Sequence, residues 1–380
     1  MRVSPRLSDI PTYEPGLTMA EVMAEHGLTS VIKLASNESP YPVLPEVEEV
    51  VRAGAVGLGR YPDAYGRELR ALLADQHGVD PAQIALGNGS CELILLAGQA
   101  LLDPGTSLVH ADPSFAIYPH LAAAAGARAE AVPLADDDGH DLWSMAAAVD
   151  ADTRLVIVCN PNNPTGVYRS ADEIEQFLDA VPEDLPVLVD EAYNDFVSFP
   201  DRGRVLSMAR ERPNLLVTRT FSKAFGIPGL RVGYAIGSAA WVAALDKVRQ
   251  PFNTNALAQA AAVAALRRRS VVERRVAELI SERSRMEDAL ERLGVPFTGS
   301  QANFVLIGMG ATGDDAAVLH GDLLRQGIIV RNGAALGVPG RLRVTLGTRD
   351  ENDAFIDALG RRAGAGSGTT ATAAEGLKPS

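Results

Sequence analysis

Cysteine is scarce in this chain: only Cys91 and Cys159 occur among 380 residues. Two thiols cannot build a disulfide-stapled scaffold or a thiolate metal cluster, and they fit a reducing compartment. An excess of cations is missing too. Lys and Arg number 35 against 48 Asp and Glu, a formal charge of −13. That balance argues against a nucleic-acid partner, though not against a local cationic pocket. No apolar run approaches the roughly 20 residues that a membrane helix needs. The opening stretch M-R-V-S-P-R-L-S-D-I has no apolar h-region, so no secretory signal is expected and the reading is cytoplasmic. No internal repeat is found. What is present is ordinary for a large globular enzyme: 47% apolar and 22% charged residues, with length enough for two domains and a sizeable core.

Along the chain, residues 1 to about 35 read as an arm kept irregular by Pro5, Pro11 and Pro15. Helical spacing of apolar residues covers 46–56 and 67–77, and a third helix, 93–102, follows the turn G-N-G-S-C-E. Short strands are expected at 107–110, 128–132, 155–159, 187–189, 215–217 and 232–236. Strands alternating with helices predict an α/β fold with a mostly parallel, doubly wound sheet. One long helical region is expected over 256–293, with Arg267, Arg268 and Arg269 on a solvated face. Strands at 303–307, 328–331 and 341–346, with helices at 315–326 and 350–361, make a smaller α+β domain. The expected limits are an N-terminal arm at 1–35 that joins the small domain, a large domain at 36–265 and a small domain at 266–362. A disordered tail of small and polar residues is expected at 363–380.

Three turns carry candidate chemistry. The stretch T-R-T-F-S-K-A-F-G-I-P-G-L-R-V-G, at 218–233, sets Lys223 among small residues just past a buried strand. A lysine amine can form a Schiff base with a carbonyl, and a nearby cation makes it more nucleophilic. Ser222 and Arg231 could both reach one anion such as a phosphate. An aldehyde cofactor carrying a phosphate would use all three residues, whereas a plain surface loop would use none. The strand at 187–189 ends in Asp190-Glu191-Ala192-Tyr193, and an acid at that end of a parallel strand lies where such sheets place ligands. A pyridine-ring cofactor needs a carboxylate there to keep its nitrogen protonated. The run N-P-N-N-P-T-G at 160–166 is a rigid turn whose asparagines could donate to a ring hydroxyl or merely close an Asx-turn. The helix start after Gly89 could bind a phosphate through its backbone N–H groups, or Ser90 could simply cap it.

Taken together, these motifs resemble the fold-type I pyridoxal-phosphate aminotransferases, and within them the histidinol-phosphate aminotransferase branch. N-P-N-N-P-T-G, V-D-E-A-Y, R-T-F-S-K-A-F-G-I-P-G-L-R-V-G-Y, R-Q-P-F-N-T-N, S-Q-A-N-F and L-R-V-T-L-G-T occur in the family's order and span nearly the whole chain. The resemblance implies pyridoxal 5'-phosphate on Lys223, which would also shuttle the substrate proton. It implies Asp190 at the ring nitrogen, with Asn163 and Tyr193 at the ring's phenolic oxygen. Ser90, Cys91, Ser222 and Arg231 would hold the phosphate, and Phe115 would stack on the ring. Tyr61 would reach the phosphate of a partner subunit, which implies a homodimer with shared sites. Tyr13, Asn163, Arg331 and Arg343 would meet the substrate, with Asn303 close to Arg343. Two residues depart from the pattern. Cys91 stands where an acid is common, and Phe115 stands where tyrosine is common.

The branch implies transfer of an amino group between histidinol phosphate and 2-oxoglutarate, in histidine biosynthesis. An aromatic (phenylalanine) aminotransferase uses the same cofactor set, as does a phosphothreonine decarboxylase, and both remain open at this point. Small-molecule substrates are the expected partners, with no nucleic acid, membrane or metal. A regulator built on this fold would need an attached DNA-binding module, and the aminotransferase pattern begins almost at the first residue.

Overall fold

The computed structural model describes residues 15–309 and 313–367. Its strands are β1 (Ile32–Leu34), β2 (Ile84–Gly87), β3 (Ser107–Asp112), β4 (Arg128–Pro133), β5 (Thr153–Cys159), β6 (Val187–Asp190), β7 (Leu215–Thr220), β8 (Gly233–Ile236), β9 (Phe297–Thr298), β10 (Phe304–Gly308), β11 (Ile328–Asn332) and β12 (Arg341–Thr345). Seven of them form one sheet in the order β2-β8-β7-β6-β5-β3-β4. Only β8 in that sheet runs against its neighbours. The remaining five form a second sheet, β1-β11-β12-β10-β9.

The central strands are apolar throughout because both of their faces are covered. Along β5, Leu155, Ile157 and Cys159 join a cluster with Leu93, Tyr118 and Trp241, which lie on the helices Ser90–Leu101, Ile117–Ala125 and Ala239–Val248. The alternate residues Val156 and Val158 join the other cluster, with Ile174 and Phe177 of helix Ala171–Ala180 and Leu69 and Leu73 of helix Arg67–His77. This second cluster continues without a break to Val305, Val330 and Leu342 of the five-stranded sheet. Each fully buried valine or leucine contributes roughly 1.5–3 kcal/mol. A charge at Val189, buried in the middle of β6, would therefore collapse the element that carries Asp190. Arg283, also buried, fastens helix Arg269–Arg292 to the rest of the chain by donating to the carbonyls of Phe196 and Ala302 and to Ser198 Oγ.

Several expectations are corrected. The stretch before residue 35 is not irregular throughout. Thr18 and Glu21 make a reciprocal capping box that starts helix Met19–His26, and β1 then pairs in parallel with β11. The region 256–293 is two helices, Ala256–Arg267 and Arg269–Arg292, broken at Arg268 (φ −108°, ψ 23°). The three arginines at the break pair with Glu68, Glu46 and Glu273. The first helix after the arm runs Pro45–Gly54, starting where proline's fixed φ suits a first helical position. The last helix runs Arg349–Ser367 and so enters the stretch expected to be disordered from 363 onward; residues 368–380 lie outside the described residues.

Candidate active site

Strands β5, β6 and β7 run in parallel and end together, so the turns after them converge. A cavity of about 590 Å³ opens at these ends and is walled on its far side by β11, β12 and the turn after β11. It is lined by Asn163 from the turn after β5, Asp190 and Tyr193 from β6 and its turn, and Ser222 and Lys223 from the turn after β7. Ser90, Cys91, Phe115 and Arg231 complete the near wall, and Arg331 and Arg343 stand on the far wall.

Asp190 is buried at the last position of β6. Tyr118 Oη donates to its Oδ2 at 3.0 Å, Thr218 Oγ1 donates to Oδ1 at 3.1 Å, and the Ala192 N–H donates to Oδ1 at 3.2 Å. Burial pushes the Asp190 carboxyl above the ordinary range, against the pull of these three donors. The carboxylate is therefore fixed in orientation and favours a cationic neighbour from the cavity.

Lys223 donates from Nζ to the Ser36 carbonyl at 3.2 Å, and its Nζ lies 5.7 Å from the centre of the Tyr193 ring. Burial pulls its pKa down to about 7, helped by repulsion from Arg343 and Arg231 and opposed by Glu38. A half-buried amine near neutrality is a nucleophile at working pH, which an ordinary lysine is not. The cofactor-free protein should therefore capture an aldehyde such as pyridoxal phosphate at a rate that climbs as pH rises through about 7, where Nζ loses its proton. Stopped-flow absorbance across roughly pH 5.5–10 checks this; a rate that climbs only toward about pH 10 would contradict it.

Tyr193 is buried, and its hydroxyl accepts from Asn37 Nδ2 at 2.9 Å. Burial pushes the phenol up to about 12 although Arg343 and Asn37 lower it, so the hydroxyl keeps its proton as a donor. Asn163 accepts from Arg343 Nη1 through Oδ1 at 2.5 Å, which leaves its Nδ2 as the donor end of the amide. Phe115 meets Tyr118 edge to face, with ring centres 5.7 Å apart.

The helix Ser90–Leu101 begins at the cavity with Gly89, not Ser90, at its N-cap, and no side chain caps it. Its first N–H groups are therefore available to an anion. The approach is close: a Cβ added at Gly89 (φ +85°) would come within 2.6 Å of Arg231 Nη2. A Cβ at Gly233 would come within 2.4 Å of the Ser90 nitrogen. Arg231 itself adopts φ +58°, a left-handed conformation that strains a residue with a side chain. The strain brings its guanidinium over Gly89. Ser222 Oγ accepts from Thr220 Oγ1 at 2.9 Å, so its own hydroxyl proton can turn to a ligand. Donors from two segments thus meet at one helix start, a cradle for phosphate.

On the far wall, Arg331 of β11 and Arg343 of β12 are direct cross-strand partners. Both side chains line the cavity, so this wall carries two cationic residues. Arg343 also donates to the Ala35 carbonyl at 3.0 Å and lies 5.2 Å over the Phe304 ring.

Not every expected residue lies in the cavity. Tyr61 is exposed and stacks on Phe252 at 4.5 Å, away from the cavity of its own chain. Asn303, expected near Arg343, is buried and donates from Nδ2 to the Asn37 carbonyl at 3.2 Å. Tyr13 lies outside the described residues. Sequence reading missed Tyr118, Thr218 and Asn37. Asn37 (φ +52°) is held by Thr345 through both its N–H and its Oδ1, and so presents Nδ2 to Tyr193. A non-glycine residue with that conformation leaves no mark in a single sequence. Among the described residues no helix is long and apolar enough to cross a membrane, and no group of His, Cys, Asp and Glu could hold a metal ion.

The chain matches known proteins over nearly its whole length. The family described as aminotransferase class I and II matches residues 29–359. Histidinol-phosphate aminotransferase 1 of Cupriavidus pinatubonensis is 45% identical over 93% of this chain and 94% of its own length. Histidinol-phosphate aminotransferase of Geobacillus thermodenitrificans is 41% identical over 94% of this chain and 97% of its own. The crystal structure of histidinol-phosphate aminotransferase from Sinorhizobium meliloti, in complex with pyridoxal-5'-phosphate, superposes with a TM-score of 0.86 at 27% identity, covering 96% of this chain and 98% of that one. On the match over residues 29–359 and these near-full-length relatives, the chain belongs to the class I and II aminotransferases.

Proposed function

We propose that the chain is a pyridoxal-phosphate transaminase that moves an amino group between histidinol phosphate and 2-oxoglutarate. The observation that carries the substrate choice is the cross-strand pair Arg331 and Arg343 on the wall facing Lys223. Two arginines on one wall of the cavity suit a substrate that brings its own anion, and relatives at 41% and 45% identity bear the histidinol-phosphate name. The residues fit the cofactor: a fixed carboxylate for a ring nitrogen, a near-neutral lysine for an aldehyde, and a strained arginine over an uncapped helix start for a phosphate.

When bound, pyridoxal phosphate supplies an electron sink that makes the proton on the substrate's amine-bearing carbon removable. In this reading Asp190 keeps the ring nitrogen protonated. Asn163 Nδ2 and the Tyr193 hydroxyl would donate to the ring's phenolic oxygen, and Phe115 would cover one face. The Ser90 and Cys91 N–H groups, Ser222 and Arg231 hold the phosphate. Lys223 Nζ would hold the cofactor's aldehyde carbon and, as a near-neutral amine, would serve as the group that takes up and gives back the substrate proton. Arg343 takes the acid group of glutamate, and Arg331, with Tyr13, takes the substrate phosphate. We divide the labour between a cofactor-binding lobe at 36–265 and a smaller lobe at 266–362 joined by the arm at 1–35. We also assign Tyr61 to the cofactor phosphate of a second copy, which makes the working unit a homodimer, in the cytoplasm.

The test is kinetic. Arg331→Ala removes a charge-assisted contact worth about 1.5–3 kcal/mol. It should lower kcat/KM for histidinol phosphate roughly ten- to a hundred-fold and affect phenylalanine less. Arg343→Ala should harm histidinol phosphate, phenylalanine and glutamate alike. Equal losses for phosphate and aromatic substrates in Arg331→Ala would refute the assignment, and a wild-type preference for phenylalanine would move the reading to the aromatic branch.

A further inference from the structure

Asn162 is fully buried between two turns that reach the cavity. Its Nδ2 donates to the Pro113 carbonyl at 3.2 Å and to Thr165 Oγ1 at 3.1 Å. A carbonyl can only accept, so the amide's orientation is set and Oδ1 points the other way. That oxygen receives Ser114 Oγ at 2.8 Å and His140 Nε2 at 3.1 Å. His140 must therefore carry its proton on Nε2. Its Nδ1 is a buried lone pair with no partner among the described residues, which costs less than a buried N–H without an acceptor.

His140 is 2% exposed and is itself anchored. Its carbonyl accepts Arg169 Nε at 2.7 Å, and Arg169 holds Asp137 through two bonds of 2.7 Å. Burial pulls the imidazole pKa down to about 4, so it is neutral across the physiological range. The Asn162 side chain thus ties the turn that carries Ser114 and Phe115 to the turn that carries Asn163.

We propose that His140 is a positioning residue for the cofactor cavity. Acting through the Asn162 amide, it holds Phe115 and Asn163 at a fixed separation across the bound ring. The proposal rests on pyridoxal phosphate occupying this cavity.

His140→Leu keeps the bulk and removes the donor, and His140→Gln places an N–H close to the Nε2 position. The cofactor is removed from each purified protein and titrated back, following visible absorbance and the induced circular dichroism of the bound ring. His140→Leu should bind pyridoxal phosphate about 10–100-fold more weakly, the cost of leaving a buried acceptor short of a donor. It should also change the induced circular dichroism, and His140→Gln should restore both. On an Asn163→Ala background, His140→Leu should cost less than on the wild type, because one of the two groups it positions is already gone. Should His140→Leu fail to fold, Ser114→Ala removes the other donor to the same oxygen and should shift both readouts in the same direction. A His140→Leu protein with a lowered melting temperature but unchanged cofactor affinity and dichroism would overturn the proposal, as would full additivity with Asn163→Ala. A wild-type protein that binds no cofactor would overturn the site assignment itself.

Discussion

Lys223→Ala should abolish transamination, lowering turnover by at least about 10⁴-fold, because one substitution removes both the attachment point and the proton carrier. The fold should survive. Lys223 donates one hydrogen bond, to the Ser36 carbonyl, and its burial at a depressed pKa is a cost to the folded chain rather than a support. The sign follows from linkage: a lysine with a lowered folded pKa binds fewer protons than it does unfolded, so it disfavours the native state below its unfolded pKa. Melting temperature without cofactor should accordingly hold steady or rise, while the cofactor's visible band is not fixed by borohydride. A variant that keeps measurable turnover, or whose cofactor is still covalently trapped, would assign the attachment to another amine.

Asp190→Asn should retain cofactor but lose roughly 10²–10⁴-fold in rate. That range corresponds to the loss of about 3–5 kcal/mol when one member of a buried charge pair is removed, at about 1.36 kcal/mol per decade. The neighbours sharpen the expectation. Tyr118, Thr218 and Ala192 all donate toward this side chain, and an amide offers one acceptor oxygen where the carboxylate has two. The substituted amide can keep its oxygen toward Ala192 and Thr218 and turn its NH₂ to the Tyr118 hydroxyl, which can accept as well as donate. The side chain should therefore stay in place and the cofactor stay bound, so that the loss falls on the rate. Near-normal turnover in Asp190→Asn would mean that another acid serves the ring.

What the sequence made legible follows a physical pattern. The ends of β5, β6 and β7 could be read because buried parallel strands are unbroken apolar runs and the polar residues after them stand out against that background. Asn163, Asp190, Tyr193 and Lys223 all sit in such stretches. The supporting groups could not be read. Asn37 and Thr345 meet across 308 positions, Tyr118 reaches Asp190 across 72, and His140 reaches Asn162 across 22. Each is an ordinary residue type until the fold brings it to its partner. The errors have causes of the same kind. Proline-rich spacing hid helix Met19–His26, although Thr18 and Glu21 stood at capping-box spacing. The break at Arg268 has neither glycine nor proline to announce it; three adjacent arginines simply reach three acids in different directions.

The chain's two cysteines both line the cavity, Cys91 at the helix start and Cys159 at the end of β5. No other position in the sequence bears a sulfhydryl, so a thiol-directed label has nowhere else to report from. Burial raises the pKa of both, that of Cys159 to about 12, so labelling should be slow and sensitive to whatever covers the cavity floor. Cys91, the less buried of the two, is therefore the native position from which label uptake would follow what covers the cavity floor, with no engineered probe.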